Sequence, residues 1–271
     1  MARIALVLFA LLLASCSSTK EVKSVPMSAT LKAKLYANQN LVESISSLKD
    51  KVFVGYENKY CLMNWGEAVY KYKDELRRTS KTKRRIKLWF DLANCYNYVG
   101  DFGKSLYYYD LIQGVGSTNQ KMLSMISFNI GQILELNHQD VSAYSFYQDS
   151  LKKGDKSRLS LLKLAFLDYK QHEYEQSLKH LNKLRKYYPR SNLVNFLIGV
   201  NYIHLDSKSE NINKVLKRID EKYVGRNLLA MALDVTNKKF AKDLEVDLKN
   251  LDVEFKLHID FKKYLLSRLG R

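Results

Sequence analysis

The sequence predicts an all-α fold built from repeated pairs of antiparallel helices, and two observations lead to this prediction. Of 271 residues, only 11 are glycine and 2 are proline, so few residues interrupt helices. Small residues next to large apolar ones also recur along the chain: Ala93, Gly131, Ala165 and Gly199 are separated by 38, 34 and 34 residues. Such an interval favours a stack of helical hairpins over an irregular helical bundle, because each hairpin buries an apolar face against the next.

The segment before this array is predicted to form N-terminal helices over residues 30–85. Apolar residues at helical spacing predict one helix over residues 30–48 and another over residues 64–78. The second contains Ala68 and Tyr72, a pair that returns 37 residues later as Ser105 and Tyr109. This segment therefore contains the pattern of half a degenerate repeat.

Residues 86–225 carry the repeats, and the clearest one lies between Lys87 and Tyr109. Its characteristic residues are Trp89, Leu92, Ala93, Tyr96, Gly100, Phe102, Ser105 and Tyr109. This pattern resembles the tetratricopeptide repeat, a helical hairpin with W-x2-L-G-x2-Y in its first helix and A-x3-F in its second. The resemblance implies a tetratricopeptide-like solenoid, a right-handed superhelix whose concave face binds protein segments.

The later repeats depart from the pattern at identifiable positions. The loop at Gly114–Ser117 is expected to absorb the four extra residues of the first interval. His138 and His172 fall at the turn position of Gly100, which predicts polar turn residues. Asn211 replaces the usual alanine in the fourth unit, so its second helix is doubtful. Residues 226–271 are predicted to form atypical capping helices, over 228–235 and 240–269.

The first sixteen residues have the features of an export signal. A positive start at Arg3 precedes the apolar residues 4–13, and small residues follow up to Cys16. Ten apolar residues form about 15 Å of helix, half a bilayer, so a stable membrane span is not expected.

The ending Leu-Ala-Ser-Cys resembles the lipobox of bacterial lipoproteins. This resemblance implies that residues 1–15 are removed and that Cys16 receives lipid, with residues 16–29 as a tether. Ser17 implies, by resemblance to Gram-negative lipoproteins, the outer membrane facing the periplasm. A secreted protein without a lipid anchor is the alternative.

Charge suggests a second group of partners. The chain has 45 basic and 28 acidic residues, a formal charge of +17. Six cations cluster within nine residues: Arg77, Arg78, Lys81, Lys83, Arg84 and Arg85. Export argues against nucleic acid and favours anionic phospholipids, acidic cell-wall glycans or acidic protein segments. A solvated basic surface without a partner is the alternative.

No motif in the sequence predicts catalysis. None of the five histidines lies in an HExxH sequence or at zinc spacing from a cysteine, and no nucleotide-binding or nucleophile motif occurs. We therefore expect no enzyme activity, no metal and no cofactor. The spacing and number of cysteines do not predict a disulfide framework, and Cys95, within an apolar helical pattern, is expected to be a buried thiol. A Cys61–Cys95 disulfide is the alternative.

The resemblance places ten residues on the concave face, as a groove for a protein or peptide segment. They are Phe90, Asn94, Asn97, Phe128, Gln132, Glu135, Leu162, Phe166, Tyr169 and Phe196. The amides are expected to bind an extended backbone at one end, and the aromatic rings to bind apolar side chains at the other. The alternative is that these residues pack against the chain itself.

Together these features predict a membrane-anchored adaptor that captures a partner protein without chemistry. Two alternatives share the anchor and the repeats. One is a component of an outer-membrane assembly machine for β-barrels or pili. The other is a cell-wall-binding regulator that uses the basic surface.

Overall fold

The computed structural model describes residue 61 and residues 64–154, 158–236, 244–251 and 256–269. Within these ranges the chain is all-α and its helices pack in consecutive pairs, which confirms the predicted helical-hairpin solenoid. The helices are α1 Trp65–Arg78, α2 Thr82–Val99, α3 Phe102–Gln113, α4 Gln120–Leu136, α5 Asp140–Lys152, α6 Leu159–Lys170, α7 Tyr174–Arg185, α8 Asn192–His204, α9 Ser209–Leu216, α10 Val224–Thr236, α11 Leu244–Asn250 and α12 Lys256–Leu269. The predicted signal, Cys16, the tether and the helix over 30–48 lie outside the described residues.

Four hairpins form the array: α2–α3, α4–α5, α6–α7 and α8–α9. Each second helix also contacts the first helix of the next hairpin, so the stack is continuous. At the C-terminal end, α10 and α12 pack on this stack, with α10 directly against α8. The helix over residues 64–78 is confirmed as α1, which packs against α2.

The four hairpins turn in the same way. Just after the end of each first helix stands a residue with positive φ, seven positions after the small residue: Gly100 (83°), His138 (60°), His172 (64°) and Asp206 (47°). In each turn the next amide donates to the carbonyl five residues back, as Asp101 does to Tyr96 at 2.9 Å. This left-handed cap satisfies carbonyls at the helix end. The histidines are thus turn residues, of a type tolerated in this conformation.

The small residues allow the helices to approach closely. A Cβ added to Gly131 would lie 2.8 Å from the Tyr147 ring, so a larger residue there would push α5 away from α4. Gly199 instead contacts Leu229 of α10, where an added Cβ would lie 2.5 Å from a methyl group. At this position α8, the first helix of the fourth hairpin, therefore packs against the capping helix α10. In the second hairpin, the first helix α4 packs there against its own partner α5.

Three sequence expectations were wrong in detail. The loop at Gly114–Ser117 does not absorb the four extra residues, because the connections before α4 and α6 are equally long. The extra residues instead lengthen the start of α4, which begins 11 residues before Gly131, whereas α6 begins 6 residues before Ala165. The doubtful second helix of the fourth unit exists as α9, because Ile212 and Val215 bury its apolar face. The predicted boundary at residue 225 falls inside α10, where Gly225 is buried against Phe196.

A disulfide fastens the N-terminal end of the array. Cys61 and Cys95 are bonded, with their Cα atoms 5.6 Å apart, so the expected free thiol at Cys95 was wrong and the alternative, a disulfide, is present. Cys95 lies in α2, and both cysteines are buried with Ala68 of α1 in one apolar cluster. The bond therefore ties the chain before α1 to the first hairpin.

Replacing Cys61 with alanine is expected to lower the free energy of unfolding by about 2–4 kcal/mol, because the bond closes a loop across 34 residues of sequence. Urea unfolding with and without reductant measures this loss. Reductant should destabilise the wild type and leave Cys61→Ala unchanged. Equal sensitivity of the two proteins would contradict the bond.

Candidate interaction surfaces

Most of the predicted groove lies inside the protein. Seven of its ten residues are at most 4% exposed: Phe90, Asn94, Asn97, Phe128, Gln132, Leu162 and Phe196. The reason is that each first helix is covered on one side by its own hairpin partner and on the other by the helix that precedes it in the chain. The prediction that these seven residues line an accessible groove was wrong. They pack against the chain itself, which was the alternative.

The amides assigned to the polar end of the groove bind a tyrosine. Tyr109 on α3 is fully buried; its hydroxyl donates to Asn94 Oδ1 at 2.6 Å and accepts from Asn97 Nδ2 at 2.8 Å. Asn129 of α4 donates to the same hydroxyl at 2.8 Å. Burial raises the pKa of Tyr109, so the phenol stays protonated. This network joins three helices, and these amides hold the array together.

The second hairpin repeats this arrangement with charged groups. Tyr147, at the position of Tyr109, donates to Glu135 Oε2 at 2.5 Å. Lys163 of α6 lies 3.1 Å from the same carboxylate, and the two side chains are 8% and 12% exposed. Burial, and then the Glu135 charge, raise the pKa of Tyr147. Glu135 therefore links its own hairpin to the next one.

The aromatic end of the predicted groove is closed by the C-terminal helices. The Phe196 ring lies 4.6 Å from His258 and 5.9 Å from Phe261, both on α12. Tyr223 completes the cluster, with its hydroxyl 3.2 Å from His258 Nε2. Burial lowers the pKa of His258 to about 4, so the imidazole is neutral at neutral pH. These rings form the contact between the array and its cap.

Tyr169 lies at the border of the same contact. Its hydroxyl is 3.1 Å from Nε2 of His204, whose ring stacks on Tyr174 at 4.5 Å and lies 4.2 Å from Tyr264 of α12. Burial lowers the pKa of His204 to about 4. Tyr169 is thus engaged in docking α12.

Phe166 is the groove residue that keeps an accessible apolar face. It is half-buried on α6, and its ring centroid lies 6.0 Å from the ammonium of the exposed Lys170. Lys170 in turn pairs with Asp140 at 2.5 Å, which joins the second and third hairpins. An apolar ring beside a fixed ion pair is a surface that a protein segment can bind.

The predicted basic cluster divides into structural and exposed cations. Arg84 donates two hydrogen bonds to Glu75, at 2.5 and 2.6 Å, and these bonds lower the pKa of the carboxyl. Arg85 donates to the carbonyls of Leu76 and Thr79. Both arginines therefore hold α1 against α2.

The other four cations are exposed on the surface. Arg78 pairs with Asp74 at 2.9 Å, while Arg77, Lys81 and Lys83 extend into solvent around the α1–α2 turn. The sequence cluster is thus a surface patch of four residues beside two structural arginines.

Charge is also segregated between the two edges of the array, which the sequence analysis missed. We define the basic edge as the odd-to-even helix connections with four flanking helical residues on each side: 75–85, 110–123, 149–154 with 158–162, 182–195 and 213–227. These described residues contain nineteen Lys or Arg and five Asp or Glu. Summing charge over each predicted turn would have revealed this pattern.

The opposite, acidic edge has the reverse balance. It comprises the even-to-odd connections, defined in the same way: 96–105, 133–143, 167–177 and 201–212. These residues contain three Lys or Arg and eight Asp or Glu. The array therefore has a charge dipole directed across its width.

Two contacts join the last three connections of the basic edge. The Arg158 guanidinium lies 4.7 Å from the Tyr187 ring in the next connection of this edge. One step further, the Asp220 amide donates to Asn192 Oδ1 at 2.9 Å.

No helix in the described ranges is both long and apolar enough to cross a membrane. Across the same ranges, histidine, cysteine and carboxylate side chains form no group of three with metal-binding geometry. No protein-family model matches the chain, and no curated protein matches it significantly.

The Glu135–Lys163 pair gives a direct test of whether Glu135 is structural. Lys163→Met removes the cation from the buried Glu135 carboxylate, to which the Tyr147 hydroxyl still donates, so we expect the free energy of unfolding to fall by about 3 kcal/mol. The double variant Glu135→Gln/Lys163→Met should regain most of this loss, since no charge is then buried. Urea unfolding of the four proteins of this cycle gives the coupling. If Lys163→Met loses less than about 1 kcal/mol, as is typical of exposed ion pairs, then Glu135 is exposed to solvent and is not a structural residue.

Proposed function

We propose that this chain is a lipid-anchored envelope protein whose helical-hairpin array works as an adaptor for a partner protein. The lipid on Cys16 supplies location, and the array supplies recognition without chemistry. The anchor is supported by the sequence, in which a positive start, a short apolar segment and Leu-Ala-Ser-Cys occur in register. A cysteine with several acyl chains resides stably on a membrane.

The observation that carries the adaptor proposal is the continuous stack of hairpins around a hydrogen-bonded interior. Because Tyr109 and Glu135 bind residues of neighbouring hairpins, the relative positions of the helices are fixed before any partner arrives. Such preorganisation lowers the entropic cost of binding. A stack of hairpins also presents a long surface that is suited to a protein segment.

The partner surface that we propose is centred on Phe166. Of the ten residues predicted for the groove, Phe166 combines partial exposure with a position away from the contact with α12. Lys170 and Asp140 flank it with fixed charges of opposite sign. An apolar anchor bordered by polar groups has the composition of a protein-binding centre.

Phe166→Ser is expected to reduce capture of the partner about 30-fold, the effect of losing a central aromatic anchor. Capture is measured by cross-linking the native protein in its membrane, extracting it with detergent and identifying co-purified proteins by mass spectrometry. The matched control is Tyr70→Ser, which removes an aromatic ring that is 70% exposed on α1.

The control should capture the partner like the wild type, and circular dichroism should show both variants folded. Phe128→Ser provides a reference for loss of the core, since Phe128 is 1% exposed and its ring lies 5.4 Å from that of Tyr147. Undiminished capture by a folded Phe166→Ser variant would rule out this surface. Recovery of the wild-type chain without any stoichiometric protein would rule out the adaptor function.

A further inference from the structure

We propose that the basic edge lies against anionic phospholipid headgroups of the membrane that carries the anchor, and thereby sets the orientation of the array. This inference rests on the proposed lipid anchoring and adds a second contact with the same membrane. The ligand class is the phosphate-bearing headgroup, such as that of phosphatidylglycerol. The contact requires no chemistry beyond charge and interfacial packing.

Positive charge on the basic edge is both in excess and accessible to solvent. Thirteen of the cations on the basic edge are exposed: Arg77, Arg78, Lys81, Lys83, Lys121, Lys152, Lys183, Lys186, Arg190, Lys214, Lys217, Arg218 and Lys222. The five acidic residues of the edge neutralise only a fraction of them. The α7–α8 connection, from residue 182 to residue 195, has four cations and no acid. Juxtaposed cations of this number are a sufficient basis for adsorption to anionic lipid.

An open surface depression lies between two of these connections. Its volume is about 580 Å³. Its lining residues are Pro189, Arg190, Asn192, Lys217, Arg218, Ile219 and Asp220. Three cations face one carboxylate there, and Ile219 supplies an apolar wall. This composition suits a phosphate group attached to an apolar chain.

An exposed tyrosine and the layout of the cations favour a membrane over an acidic protein segment as the partner of this edge. Tyr187 is 56% exposed on the same edge, stacked under the Arg158 guanidinium. Exposed tyrosine beside arginine is typical of the headgroup layer of membranes. The cations also follow the loops along an edge of the array. A bound peptide would require them to line a groove. An extended planar surface contacts all of these connections at once, whereas a peptide segment follows one groove.

The acidic edge reinforces the orientation. Glu173, Glu175, Asp206 and Glu210 are exposed there, and anionic lipid repels them. Attraction at one edge and repulsion at the other favour one orientation of the array over its inverse. The helix faces between the edges, including Phe166, then remain accessible to a partner.

The experiment measures the reactivity of individual lysines in the full acylated protein. The protein is reconstituted into vesicles of phosphatidylcholine, with or without 30% phosphatidylglycerol (roughly the anionic fraction that sustains polybasic adsorption). Lysines are acetylated with a water-soluble reagent and their rates are read by mass spectrometry. We expect Lys186, Lys217 and Lys222 to react about fivefold more slowly on the anionic vesicles. Lys208, exposed on the acidic edge, should react equally on both.

Two charge-reversed variants test the assignment to the edge. Arg190→Glu/Lys217→Glu should lose the protection of Lys186 and Lys222, and both replaced residues are exposed, so folding is retained. The matched control Lys208→Glu/Lys263→Glu changes the charge equally, away from the basic edge, and should keep the protection. Salt at about 1 M, where the screening length is about 3 Å, should abolish it.

Each opposing result has a separate meaning. Membrane attachment is measured by flotation of the vesicles in a density gradient. If the protein floats with both vesicle types but its lysines react equally on them, the proposed orientation is wrong and the lipid anchor stands. Failure to float with either vesicle would overturn the anchoring proposal and this inference with it. Protection by soluble polyglutamate together with none on anionic vesicles would assign the edge to an acidic protein and reject the membrane contact.

Discussion

The structure depends on the burial of each first helix between two neighbours. A helix covered on both sides needs a small residue where its partner approaches, and Gly131 fills this role against Tyr147. It also needs a partner for the polar groups that it buries. Tyr109 and Tyr147 meet this second requirement at equivalent positions of successive hairpins. Close packing and internal hydrogen bonding thus act at the same interfaces and make the stack one unit.

This constraint determines which surfaces are left for recognition. Side chains that join the hairpins cannot contact a partner, and α12 covers the end of the array around Phe196. What stays accessible is the surface around Phe166 and the two oppositely charged edges. Location, orientation and capture can therefore be supplied by different parts of the chain: the lipid, the basic edge and the apolar surface.

The fold could be predicted from sequence because each hairpin is specified by residues that are close together in the chain. The recurring small residues and the turn position shared by Gly100 and His138 define the hairpins without knowledge of distant contacts. The site could not be predicted in the same way. Whether Asn94 faces a partner or Tyr109 depends on how closely α3 packs against α2, which no local pattern encodes. The disulfide of Cys61 is equally a matter of spatial distance.

Hydroxyl-radical footprinting of the native acylated protein tests most directly whether the predicted groove is interior. It compares the oxidation of each ring, corrected for its intrinsic reactivity. We expect Phe128 and Phe196 to oxidise far more slowly than Tyr107 and Tyr187, which are 59% and 56% exposed. Oxidation of Phe128 and Phe196 at rates similar to these tyrosines would mean that the groove is open to solvent, and would contradict the burial of the first helices.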